Sequence, residues 1–161
     1  MRTSKLLLGT TLGLCFASSA NAASFAPVNT EFTLTGGITL TDVFSNRAAV
    51  CSVSLIGTTD GAGNATITDG VLSGVGDCSL IEFAGFPWSM TAASASSINL
   101  TGFQVYAEYP YAYGFILSQN AVATYNNSGT LSAAFSWGVF LSGIVTTRLT
   151  VDTMPVLSIV P

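Results

Sequence analysis

The sequence predicts an all-β protein: a single-domain antiparallel β-sandwich, Ig-like or jelly-roll-like, of about eight or nine short strands following an N-terminal signal peptide. Three observations predict it. Apolar and hydroxyl-bearing residues alternate with period two through most of the chain, as half-buried strands require, because successive side chains point to opposite faces. Turn signals rich in Gly, Asn and Asp recur roughly every 8–12 residues. Beyond the N-terminus no stretch carries an apolar period of 3.6 residues, which a helix would need.

The N-terminus has the layout of an export signal. Arg2 and Lys5 are basic, Leu6 to Ala17 is almost wholly apolar or small, and Ala20-Asn21-Ala22 offers small residues before a cleavage point at Ala23. The apolar run is too short to cross a bilayer, which takes about 20 residues. Cys15 lies within it, but Leu14 stands where a lipoprotein signal carries a small residue. Residues 1–22 are therefore read as a signal peptide and 23–161 as one domain. The expected destination is extracellular, with the periplasm as the alternative.

The strands follow in order. In Glu31 to Thr41, Phe32, Leu34, Ile38 and Leu40 fall on one face and Thr33, Thr35, Thr39 and Thr41 on the other. Gly36-Gly37 in the middle predicts a bulge or bend. Val50 to Thr59 places Cys51, Val53 and Leu55 on one face. Asp60-Gly61-Ala62-Gly63 is a turn signal, so Asn64 to Leu72 returns as a hairpin partner. Pro87 to Ala95 and Ile98 to Glu108 read as two more strands. Ala121 to Tyr125 and Thr130 to Ser136 flank the turn Asn126-Asn127-Ser128-Gly129. Ile144 to Val151 and Val156 to Val160 close the chain. An outer-membrane barrel would alternate too, but several of these runs fall short of the roughly 9–11 residues of a membrane strand, and Pro161 leaves the chain without an aromatic end.

Charge excludes several functions. The whole chain has four Lys and Arg and eight Asp and Glu. Without residues 1–22 only Arg47 and Arg148 remain against all eight acids, so the net charge moves from −4 to 2 − 8 = −6. Such a surface repels nucleic-acid phosphates. The mature chain has no His and no Lys, which removes Ser-His-Asp, Cys-His and Ser-Lys chemistry. Ala134-Phe135-Ser136-Trp137-Gly138 approaches a nucleophile elbow but lacks its first glycine and any base. Glu31, Glu82 and Glu108 have no spacing that brings two together for glycoside hydrolysis. The expectation is a protein that is not an enzyme, holds no cofactor and binds no metal. Asp60, Asn64 and Asp69 around the Gly-rich turn match no complete calcium loop, and these residue types favour turns for their own hydrogen-bonding reasons.

Cys51 and Cys78 survive processing, and in an exported chain they read as a disulfide. Closing this loop stabilises the fold by about 3.5 kcal/mol on the chain-entropy account. Two thiols without a histidine make a poor zinc site.

The aromatic residues are the strongest pointer to function. Phe103, Tyr106, Tyr109, Tyr111, Tyr113 and Phe115 crowd around Pro110, and Phe83, Phe86 and Trp88 surround Pro87. Tyrosine joins an apolar ring to a polar tip and suits a boundary between oil and water or a carbohydrate. Phe86, Trp88, Tyr106, Tyr109, Tyr111, Tyr113 and Phe115 are the candidate contact surface, with core packing as the competing role for each.

The start Ala23-Ser24-Phe25-Ala26-Pro27, the strand Phe32-Thr33-Leu34-Thr35-Gly36-Gly37-Ile38-Thr39-Leu40, the strand Val50-Cys51-Ser52-Val53-Ser54-Leu55, and Cys78-Ser79-Leu80 leading to Phe86-Pro87-Trp88 resemble the secreted activators of alkane oxidation of the PraA/PraB type. The resemblance is strongest from residue 23 to about residue 105. It implies an exported, surface-active protein that promotes contact with hydrocarbon or another apolar surface, or emulsifies it, without oxidising it. Two other functions fit an exported Ser/Thr-rich β-protein. One is a self-associating subunit of an extracellular fibre or biofilm matrix, with Ala23 to Thr35 as a donated strand. The other is a carbohydrate-binding module using Trp88, Trp137 or the tyrosines. No membrane-integral role is expected.

Overall fold

A computed structural model describes residues 23–42, 46–108, 115–139 and 143–161, with the side chains of 115–116, 135–139 and 143–145 excepted. The proposed signal peptide lies outside the described residues. The chain forms β1 (Ser24–Ala26), β2 (Glu31–Asp42), β3 (Arg47–Thr59), β4 (Ala65–Ser73), a short 3-10 helix (Gly76–Leu80), β5 (Ile81–Ala84), β6 (Trp88–Ser94), β7 (Ser97–Ala107), β8 (Phe115–Tyr125), β9 (Thr130–Val139), β10 (Gly143–Met154) and β11 (Ser158–Val160).

The all-β expectation holds, but the sandwich does not. Strands β2, β3, β4, β6, β7, β8, β9 and β10 pair in that order as an antiparallel meander, and β10 returns to β2. The sheet therefore closes into an eight-stranded up-and-down barrel. Alternation cannot separate the two architectures, because both bury one face of every strand. What separates them is pairing across the ring. The ladder from Val145↔Asp42 to Met154↔Thr33 joins the last barrel strand to the first. Two seams are narrow: β4 meets β6 only from Ala65↔Met90 to Ile67↔Trp88, and β8 meets β9 only at Thr124↔Ser132 and Tyr125↔Leu131.

The interior is apolar and packed. Phe32, Leu34, Ile38 and Leu40 of β2, Cys51, Val53 and Leu55 of β3, and Leu149 and Val151 of β10 all point inward. The outward positions of the same strands are mostly Thr, Ser and Val. The strand lengths used above against a membrane barrel are corrected: β2, β3, β7, β8, β9 and β10 each run ten residues or more. The polarity carries that argument instead. A lipid-embedded barrel is apolar outside and polar within, the reverse of this arrangement. Among the described residues, no helix is long and apolar enough to cross a membrane.

Gly36-Gly37 makes no bulge. Register runs unbroken through both residues on both sides of β2. Gly36 is needed for another reason: a Cβ there would sit 2.1 Å from Thr150 O, so β10 approaches too closely for any side chain. A real bulge falls in β7 between Leu100 and Phe103. There Gly102 takes φ +84° and donates its N–H to Asn120 Oδ1 at 2.9 Å. The extra residue shifts the inward phase from Ile98 and Leu100 to Phe103 and Val105.

One barrel end is plugged by the two-stranded sheet β1–β11, which buries Phe25 and Ile159, with Leu157 beside them. Tyr125 ties β8 to this plug. Its hydroxyl donates to Leu157 O and meets Thr153 Oγ1 at 3.4 Å, and Thr153 Oγ1 accepts from Leu157 N at 3.1 Å. Burial pushes the Tyr125 phenol above its ordinary pKa, and the Thr153 contact only partly offsets this. The turn Asp60–Asn64 at the same end is closed by the Asp60 carboxylate, which accepts from Ala62 N at 2.8 Å and Asn64 N at 2.9 Å. The bonds from Asn64 are the main reason its pKa lies below the usual carboxylate value. Its oxygens thus close the turn.

Two predictions follow from this packing. Thr147 is 1% exposed, and among the described residues its Oγ1 is the buried side-chain atom without a partner. Thr147→Val replaces that hydroxyl with a methyl of similar size and is expected to raise stability by about 1 kcal/mol in urea unfolding. The raised Tyr125 pKa means the folded state holds its phenol proton more tightly than the unfolded chain does. The associated stability is complete below about pH 10 and falls as pH rises through the folded value. Tyr125→Phe is expected to flatten that alkaline decline while costing about 1 kcal/mol at pH 7 through the lost hydrogen bond, both read from urea midpoints between pH 7 and 11.

Candidate apolar contact surface

The end of the barrel opposite the plug is built around Cys51 and Cys78, which form a disulfide with Cα atoms 5.6 Å apart. The bridge fastens the 3-10 helix to β3, and Arg47 Nη2 adds an ion pair to Asp77 Oδ2 at 2.9 Å. Gly74 threads closely past: a Cβ on it would lie 2.8 Å from Cys78 Sγ and 3.6 Å from Val50 O. Gly74 and Gly76 have φ values of +152° and +68°, so both conformations suit glycine. Between them Val75 is held outward and is 94% exposed. Val50 on β3 is 71% exposed and Val71, opposite Ser54 on β4, is 60% exposed. Three valines thus stand in water, Val75 on the loop that the disulfide fastens and Val50 and Val71 on the strands beside it.

The strand ends flanking residues 43–45, 109–114 and 140–142 also lie at this end. β2 leaves there and β3 begins, β7 leaves and β8 begins, and β9 leaves and β10 begins. In sequence these three connections hold Phe44, Tyr109, Tyr111, Tyr113 and Phe140 and no charged residue. The turns at the plug end, Asp60–Asn64 and Asn126–Gly129, are polar.

The residues expected to form a contact surface separate. Trp88 is 0% exposed and belongs to the core, which corrects its assignment. Its Nε1–H donates to Ala84 O at 2.9 Å, its ring lies 4.9 Å from Phe103 and 5.2 Å from Phe83, and Phe86 stacks on it at 4.4 Å. The cause is topological. β5 and β6 share one edge of β7, separated by the Gly85-Phe86-Pro87 break, so the start of β6 points its side chain into the barrel. Phe86 is half-buried, lying over Trp88. Tyr106 is half-buried on the outward phase of β7, between Glu82 and Ile116. Tyr109, Tyr111 and Tyr113 lie outside the described residues. Phe115 pairs through its backbone with Ala107, and its side chain is outside the description.

The exposed valines were legible but not singled out. Val50 falls on the phase of β3 opposite Cys51, Val53 and Leu55, so an apolar residue on the hydroxyl phase was the available signal. A second exposed apolar group, Val28, Met154 and Val156, lies at the plug end.

The other chemical candidates do not assemble. Glu31 opens β2 at the plug end, whereas Glu82 pairs with Tyr106 and Glu108 N–H donates to Leu80 O at the disulfide end. The side chains of Ser136 and Trp137 are outside the description. Ala23 to Thr35 is not a free donor strand: Ser24–Ala26 pairs with Ser158–Val160 and Phe32 is buried in the barrel. Trp88, enclosed as it is, offers a sugar no ring face.

No curated protein and no solved structure matches the chain. A family match does exist, and it spans residues 1–161, beyond the 23–105 stretch that carries the resemblance by eye. With its Cys51–Cys78 bridge and all-β frame, the chain belongs to the alkane oxidation protein activator family, PraA/PraB-like.

Proposed function

We propose that this protein is an exported, non-enzymatic amphiphile that promotes alkane oxidation by adsorbing to hydrocarbon and dispersing it. The observation that carries the reading is the set of exposed valines at one barrel end: Val50 on β3, Val71 on β4, and Val75 on the loop fastened by the disulfide and the Arg47–Asp77 pair. Family membership supplies the link to alkanes. The aromatic composition of segments 43–45, 109–114 and 140–142, joined to the barrel at that same end, supports the same orientation.

The energetics agree with this role. Moving an exposed valine from water to oil gains about 1 kcal/mol, so three supply about 3 kcal/mol before any aromatic ring is counted. Few charges need desolvating, because the domain holds only ten charged side chains. The disulfide opposes spreading of the barrel at the interface, where exposed core would otherwise favour unfolding. In this reading residues 1–22 direct export and are removed, and the protein acts by adsorption without a chemical step.

The test is interfacial tension at a water–hexadecane boundary, with emulsion half-life as a second readout. The wild-type protein is expected to lower the tension. Val50→Ser/Val71→Ser/Val75→Ser is expected to raise the concentration needed for half the effect by about tenfold. Val28→Ser/Val156→Ser, at the plug end, is expected to change it less than threefold. A wild-type protein without surface activity, or equal losses in the two variants, would remove the proposal.

A further inference from the structure

The outer wall of β9, β10, β2 and β3 carries the second arginine of the domain. Arg47 is engaged by Asp77. Arg148 is exposed on β10, and Asp152 is exposed on the same face of the same strand. Four strand residues separate them by about 13 Å, too far for them to meet each other. Their cross-strand neighbours are uncharged: Arg148 lies opposite Thr39 and Ala134, and Asp152 opposite Thr35 and Thr130. Along the outward positions from Thr146 to Met154 and from Thr33 to Thr41, these two are the charges, and they sum to zero.

Thr150 lies midway between them, opposite Gly37 and Ser132. Gly37 differs from its neighbour Gly36. A Cβ on Gly37 would meet nothing nearer than Cys51 O at 3.7 Å, and its φ lies outside the left-handed region. The chain's own packing therefore does not demand glycine there. A strand glycine with neither a bulge nor an internal clash to account for it leaves room for the close approach of a ligand or another backbone. Beside it the surface sinks into a depression of about 430 Å³ bordered by Val122, Thr124, Ser132, Ala134, Arg148 and Thr150.

We propose that this wall is the contact face for a second copy of the chain. The charge pattern fixes the geometry. A two-fold axis lying in the interface and crossing β10 at Thr150 sets the two β10 strands antiparallel. It then places Arg148 of each copy against Asp152 of the other. The contact is isologous, so it closes as a dimer and does not propagate. Two domains of net charge −6 repel each other in general, and a neutral, self-complementary wall is where that repulsion is least. The two Gly37 positions meet at the axis and let the sheets approach. This inference stands independently of the hydrocarbon reading.

Sedimentation equilibrium on the purified protein at low salt tests it. The wild type is expected to dimerise with increasing concentration, and more weakly as salt is added. Arg148→Asp and Asp152→Arg are each expected to raise the dimer dissociation constant by about tenfold or more, since each sets like charges face to face twice. The double exchange Arg148→Asp/Asp152→Arg is expected to restore it to within about threefold, because opposite charges again face each other. Gly37→Leu is expected to abolish dimerisation while leaving the urea midpoint of the monomer within a few tenths of a molar of wild type. A protein that stays monomeric at all concentrations, a double exchange that fails to restore association, or a Gly37→Leu variant that dimerises normally would each overturn the proposal.

Discussion

Everything in this fold depends on the ladder between β10 and β2. Without it the chain is an open meander with two long edges and a half-covered apolar face. With it, the inward residues of eight strands share one enclosed core. The ladder makes a severe local demand: β10 comes so close at Thr150 that position 36 tolerates no side chain. Closure also disposes of the edge strands that would otherwise recruit neighbours. Where closure is thin, between β8 and β9, the hairpin turn joins the two strands, and the Tyr125 hydroxyl fastens the end of β8 to the plug.

Closure divides the molecule into two unlike ends. Up-and-down topology sends alternate connections to opposite ends, so the sequence between strands decides the character of each. At the plug end, Asp60 and Asn126 fold their turns through side-chain bonds to the backbone, such as Asn126 Oδ1 accepting from Thr130 N at 2.8 Å. At the other end, order comes from covalent and ionic fastening, Cys51–Cys78 and Arg47–Asp77, which frees the nearby side chains from stabilising the loop. A valine 94% exposed between two glycines is tolerable there because the backbone does not rely on it.

The sequence carried the strands well and their closure not at all. The alternation in Phe32 to Leu40 and in Cys51 to Leu55 placed both strands on the correct faces. The same alternation is compatible with two stacked sheets, so sandwich and barrel were indistinguishable until the β10–β2 register was known. The three- and four-residue strands β1 and β5 are too short to show a period; the strand read at Val156 to Val160 contains β11, but without β1 its pairing, and with it the plug, was invisible. Trp88 was misplaced because Pro87 beside it reads as a loop. The proline in fact lies in the break between two strands that share one edge of β7, so the tryptophan beginning the second strand faces inward. Cys51 and Cys78 were legible from compartment and number alone. The exposed valines were legible from phase, but the aromatic crowd drew attention away from them.

Scarcity of charge connects the two faces this molecule presents. A soluble domain ordinarily keeps itself apart with a quarter of its residues charged; here the whole chain has 7%. Outward positions are filled by Thr, Ser and Val, whose methyl and hydroxyl groups cost little to bring against oil or against another protein surface. On such a wall a single Arg and a single Asp have outsized influence, because no neighbouring charges compete for their partners. At the disulfide end the same scarcity removes the desolvation penalty that would oppose adsorption. On the proposed function the barrel need not unfold to adsorb: its core stays enclosed, and weakly hydrated outer surfaces would make the contact. That would differ from flexible amphiphiles, which reach an interface by exposing their interior, and on the proposed function it gives a role to the bridge that fastens the loop carrying Val75.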